Sequence, residues 1–181
     1  MIFPQFRRLQ GDDAFGLLRE KTYAGALWRY GVMTQEVRAR IEHELKVIQD
    51  KGYADYFLVV EEIVRQAPRT CGRGSAAASI VSYCLGITHV DPIRHKLFFE
   101  RFLNPGRHDP PDIDIDFPWD ERPKILEWVF GRYGAHQAAM VANQNRLALR
   151  AAMREIAKVH GLPAAEIGKA LALLHRRADF V

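Results

Sequence analysis

The chain has 181 residues, 48% hydrophobic and 27% charged, which excludes wholesale disorder and fits one ordinary domain or two small ones. It lacks a run of about 18 apolar residues, so no membrane-spanning helix is expected, and residues 1–8 (MIFPQFRR) lack the apolar core of a secretory leader. Two cysteines, Cys71 and Cys84, are too few for a disulfide framework and suit a reducing cytoplasm. The formal charge of +4 lies entirely in the C-terminal tail. From Arg146 onward seven Lys/Arg face three acids, so residues 1–145 sum to zero.

In chain order, residues 12–30 read as a helix capped by Asp12 or Asp13 and stopped by Gly31. Thr34 caps a second helix to about Lys51, where Val37, Ile41, Leu45 and Ile48 repeat every three or four residues. Residues 56–66 form a third, broken by Pro68. The small-residue run 75–85 reads as a buried helix starting at Ser75, and a short helix is expected over 96–102. Residues 110–117 (PPDIDIDF) alternate strictly and predict a strand. Asp120 is the expected cap of the next helix, which ends between Gly131 and Gly134; residues 138–142 are a candidate second strand. Residues 147–160 and 164–176 complete the helices. Helices followed by strand, helix, strand and helix point to an α+β or mixed α/β fold.

The strongest chemical signal is Asp112, Asp114 and Asp116 at alternate positions. On a strand they share one face, while Ile113, Ile115 and Phe117 share the other. Such a row of like charges calls for a neutralising partner, and Mg²⁺ suits it, bound by one or two carboxylates plus substrate phosphates. A calcium loop is excluded, because Phe117 and Pro123 stand where that loop needs Gly and Glu. A solvated acidic face is the plain alternative.

The second signal is Gly72, Arg73, Gly74 and Ser75 at the start of the expected 75–85 helix, a place where backbone N–H groups can approach phosphate. No Lys-Ser/Thr pair follows, so it is not a Walker loop. Gly72, Gly74 and Ala77 match a dinucleotide fingerprint in spacing, but Pro68 just upstream and Asp91 in a proline turn argue against it. Arg101 and Arg107 precede the aspartates and suit phosphate oxygens, or ion pairs with neighbours such as Glu100 and Asp109. The seven histidines show no metal-ligand spacing, and Cys71 reads as a small buried thiol. Arg146, Arg150, Arg154 and Lys158 recur every four residues as a stripe suited to a nucleic-acid backbone, with Leu149, Met153, Ile156 and Val159 off the stripe and free to face a core.

Carboxylates for metal, a glycine-rich anion site, arginines and a basic tail together suggest nucleotidyl transfer. Residues 52–60 (GYADYFLVV), 72–75 (GRGS), 99–105 (FERFLNP) and 111–117 (PDIDIDF), in this order, resemble the C-family bacterial DNA polymerases, the polymerase III alpha subunits. The runs CGRGSAAAS, YCLGIT and PPDIDIDF are most similar to the error-prone, translesion branch.

The resemblance covers residues 42–162 and implies a palm of the polymerase-beta type, with 1–67 as a helical lead-in and 68–181 as a partial palm. It implies DNA-directed DNA polymerisation with Asp112 and Asp114 as the Mg²⁺-binding catalytic pair. It also implies Gly72, Arg73, Gly74, Ser75 and Arg101, and Arg107 more weakly, around the incoming triphosphate. Primer–template DNA and deoxynucleoside triphosphates are the implied partners, with other polymerase or replisome subunits as further ones. The family's PHP domain, third catalytic aspartate and fingers lie outside these residues, so the chain reads as a palm fragment inactive by itself. A non-catalytic nucleic-acid- or protein-binding remnant and a metal-dependent phosphohydrolase are the alternatives.

Overall fold

The computed structural model describes residues 4, 6, 13–106 and 111–178. Asp13 caps α1 (Ala14–Tyr30) through its carboxylate, which accepts from the amides of Phe15 and Gly16; Asp12, the other expected cap, lies outside the described residues. Thr34 caps α2 (Gln35–Lys51) as its sequence predicts. α3 (Ala54–Val64) follows at once. These helices bury Leu18, Ile41, Leu45, Ile48, Phe57 and Leu58 in one core, each large side chain worth roughly 1.5–3 kcal/mol of burial. Gly25 lets α1 meet the following helical segment closely, since a Cβ there would lie 2.0 Å from the Cys84 carbonyl oxygen.

The small-residue run departs from expectation. Instead of one helix from Ser75, β1 (Cys71–Arg73) leads into a 3-10 stretch, Gly74–Ala78, and then the five-residue α4 (Ile80–Cys84). Ser79 interrupts the helix because its hydroxyl accepts from the Ser82 amide and caps α4. The segment thus lacks the long α-helix dipole a phosphate would use. The expected helix over 96–102 is also reduced, to a single 3-10 turn, Phe99–Arg101.

β2 (Asp114–Asp116) pairs antiparallel with β1, placing Arg73 opposite Asp114, Gly72 opposite Ile115 and Cys71 opposite Asp116. Residues 138–142 are not a strand; an isolated segment there has no ladder to satisfy its backbone. Asp120 does not cap α5 (Arg122–Tyr133), which starts at a proline-containing first turn; its carboxylate lies 3.7 Å from Arg69 instead. α5 is tied to α3 through Glu62, which accepts from Arg132 Nε at 3.0 Å and the Tyr133 hydroxyl at 2.5 Å. The observed architecture is mostly helical with one two-stranded sheet, compatible with an α+β fold.

The chain divides into two compact units, Met1–Ala139 and Met140–Val181. The second contains α6 (Leu149–Val159) and α7 (Ala164–Ala178), with Ile167 and Leu171 buried on α7. No helix among the described residues is long and apolar enough to cross a membrane.

Candidate functional site

The aspartate strand is built as its alternation requires. Asp112, Asp114 and Asp116 are exposed, while Ile113 and Ile115 are half-buried against the core. Tyr56 on α3 fixes the start of this strand, its hydroxyl accepting from the Ile113 amide at 3.1 Å. Burial, with the neighbouring Asp112 and Asp114 charges adding to it, raises the Tyr56 phenol from its ordinary value.

The three carboxylates are not equivalent. Arg73 Nε lies 3.2 Å from Asp116 Oδ2, whereas no ion pair with a described residue engages Asp112 or Asp114. No group of three His, Cys, Asp or Glu side chains suited to one metal ion occurs among the described residues. Alternate residues of a strand are spaced about 6.6 Å apart, so three in a row cannot converge on one ion. Asp112 and Asp114 nevertheless supply exposed, hard oxygen donors of the kind that Mg²⁺ takes when phosphates and water complete its shell. The donor set fits a substrate-bridged Mg²⁺, not an all-protein cage.

The glycine motif meets this strand directly. Gly74 has φ +71°, a left-handed value, and a Cβ there would lie 3.3 Å from Asp114 Oδ2. Gly74 also lines a cleft of about 610 Å³ with Ser75, Ala77 and Ala78 on one wall and Lys96, Leu97, Phe98 and Arg101 on the other. That volume lies within the ordinary range of small-molecule sites. The structure therefore brings Gly74, Ser75 and Arg101 to one cleft, and of these Gly74 abuts Asp114. Gly72 and Arg73 do not line this cleft: a Cβ on Gly72 would come within 2.2 Å of the Ile87 carbonyl oxygen, and Arg73 pairs with Asp116.

Arg101 is presented by its neighbours. Phe99 and Phe102 are fully buried, their ring centroids 6.2 Å apart, so the intervening Glu100 and Arg101 face outward. Glu100 is taken by His43 at 3.1 Å and does not pair with Arg101. Arg107 lies outside the described residues.

Lys96 escaped sequence reasoning. Its amide donates to Ile93 O and that of Leu97 to Pro92 O, closing a turn whose left-handed position Lys96 fills at φ 50°. The same pair of bonds closes α2, where Gly52 takes that position. Lys96 is the one non-glycine with positive φ among the described residues, and no sequence spacing marks it.

The basic stripe is shorter than expected. Arg146 is exposed but precedes α6, leaving Arg150, Arg154 and Lys158 on the helix, with Lys158 Nζ 2.8 Å from Glu155. The apolar residues off the stripe do not face a core: Leu149 is 72% and Val159 86% exposed, and Met153 and Ile156 are exposed as well. α6 buries no residue. Cys71, expected to be buried, is exposed on the short strand β1.

The sequence model describing the bacterial DNA polymerase III alpha NTPase domain matches residues 16–180. The chain belongs to this family. It is 42% identical over 170 residues to an error-prone DNA polymerase of Symbiobacterium thermophilum, an alignment covering 92% of this chain and 16% of that protein. Identity reaches 46% over 164 residues with the error-prone DNA polymerase of Mycobacterium bovis, covering 87% and 15%. With that of Pseudomonas fluorescens it is 45% over 159 residues, covering 85% and 15%. These relatives place the chain on the error-prone branch of the polymerase III alpha family. The chain spans about one-sixth of their length.

Proposed function

We propose that this segment forms the metal- and triphosphate-binding part of a DNA-directed DNA polymerase. The observation that carries the reading is the meeting at Gly74 of two motifs forty residues apart: Gly74 abuts the Asp114 carboxylate and lines the cleft that Ser75, Lys96 and Arg101 share. In the whole enzyme a primer 3′ oxygen bonds to the α-phosphorus of a deoxynucleoside triphosphate while the bond to pyrophosphate breaks. Arg101 and Lys96 hold phosphate oxygens, Arg101 as a planar fork and Lys96 as a point charge. Ser75 adds a hydroxyl donor, and Gly74 keeps the backbone close to the phosphates. Asp112 and Asp114 would hold Mg²⁺, which would supply activation of the attacking hydroxyl and neutralisation of charge on the leaving pyrophosphate.

In this reading residues 68–181 are part of a polymerase-beta-type palm and residues 1–67 its helical lead-in. The site works in the cytoplasm on primer–template DNA with other replisome subunits, and 181 residues do not polymerise unaided. Separate Asp112→Asn and Asp114→Asn substitutions in a full-length enzyme carrying this segment test it. Both are expected to abolish primer extension while leaving the fold intact; normal extension by either overturns the assignment. One observation favours a second reading, a non-catalytic binding remnant: no third carboxylate joins the pair among the described residues. Primer extension by the wild-type enzyme, with no phosphodiester cleavage, decides against both this remnant and a phosphohydrolase.

A further inference from the structure

An ion pair with a fully buried carboxylate and a half-buried guanidinium bonds both walls of the cleft. Arg40 and Glu44 stand one turn apart on α2, with Arg40 Nε 2.6 Å from Glu44 Oε1. Glu44 is fully buried, in line with the apolar residues Ile41, Leu45 and Ile48. Arg40 Nη2 donates to the Ala78 carbonyl and to the Leu97 carbonyl, both at 2.9 Å. Ala78 belongs to the wall that carries Gly74 and Ser75; Leu97 belongs to the wall that carries Lys96 and Arg101. The other carboxylate oxygen of Glu44 accepts from Ser79 Oγ at 2.8 Å and from the Val81 amide at 3.2 Å. One guanidinium thus bonds both walls, and one carboxylate fixes that guanidinium to the segment following the glycine motif.

A hydrophobic pair of similar volume would fill this space without the cost of burying charge. What the ionic pair adds is direction. Nη2 reaches the two carbonyls while Nε holds Glu44, and the carbonyls so bonded belong to a short 3-10 stretch, Gly74–Ala78, and to the turn closed at Lys96 and Leu97. We infer that Arg40 and Glu44 are positioning residues for the triphosphate cleft, setting the separation of its two walls without touching the ligand. This rests on the cleft being a triphosphate site, as proposed above.

Arg40→Lys is the informative variant, since its single ammonium can stay with Glu44 but cannot also fill the Nη2 position between the two wall carbonyls. Ile48→Val destabilises the same helix without reaching the cleft and serves as the control. Two quantities are measured on the 181-residue chain and both variants: the Kd for a fluorescent deoxynucleoside triphosphate in Mg²⁺ buffer, and amide hydrogen exchange at residues 76–79 and 97–101. Arg40→Lys is expected to weaken triphosphate binding about tenfold, as losses of supporting contacts commonly do, and to speed exchange in both walls; Ile48→Val is expected to do neither. Wild-type affinity in Arg40→Lys, or an equal loss in Ile48→Val, overturns the positioning role. A wild-type chain with no triphosphate affinity overturns the cleft assignment itself, a result distinguishable because exchange still reports the tie between the walls.

Discussion

Gly74 and Asp114 are in contact range through an atom that glycine lacks: a Cβ built on Gly74 would stand 3.3 Å from Asp114 Oδ2. The backbone at Gly74 is left-handed, which costs an L-residue roughly 1–2 kcal/mol. Gly74→Ala is expected to destabilise the chain by about that amount and to push the Asp114 carboxylate aside. Thermal unfolding reads the first effect. Mg²⁺-dependent triphosphate binding reads the second, and it should fall by more than the small change in folded fraction explains.

Lys96 offers the reverse separation. Glycine takes a left-handed position without the steric cost of about 1–2 kcal/mol but loses more chain entropy on folding, roughly 0.5–1 kcal/mol. Lys96→Gly should leave stability unchanged or raise it by up to about 1.5 kcal/mol, while weakening triphosphate binding. A variant that is more stable and binds equally well would leave Lys96 without a role in the cleft.

The two thiols should behave as opposites. Cys71 is exposed, whereas Cys84 is buried and its thiol is pushed up to about 12, first by burial and then by the nearby Glu44 charge. One thiol per chain should react with a disulfide reagent under native conditions and two after denaturation. Because the folded-state value for Cys84 exceeds the ordinary 9.0, the native state holds this proton longer than the unfolded chain does. Its contribution to stability is complete below about pH 9 and is lost as pH rises toward 12; urea titrations across that range check the sign.

On α6, Arg150, Arg154 and Lys158 present three cations with one acid, Glu155, paired to the last. If they grip a nucleic-acid backbone, the logarithm of affinity for primer–template DNA should fall with the logarithm of salt at a slope of about −2 to −3, with little dependence on base sequence. Arg150→Glu combined with Arg154→Glu should remove that binding. Salt-independent affinity, or affinity that survives the double variant, rules the stripe out.

The sequence by itself determined the local parts of this protein. Asp13 and Thr34 cap helices because the short polar side chain that stops one backbone path starts another, and Val37, Ile41, Leu45 and Ile48 face inward because their spacing matches the helical turn. The alternation of the aspartates fixed which face they share, since strand geometry leaves no choice, and four ordered motifs marked the family. Glu44, an acid set among those apolar positions, was not marked by any motif or spacing. Only the tertiary structure decided what each motif meets. That Arg73 goes to Asp116 while Gly74 reaches Asp114 depends on the register between two short strands forty residues apart. Ser79 broke an expected helix because its hydroxyl serves both a cap and Glu44, and Lys96 entered the cleft because a six-residue turn closed around it. In α6 the apolar periodicity was read correctly, but periodicity tells which residues share a side and not whether anything packs there. Long-range partners are set by chain crossings, and no local pattern of residue types encodes them.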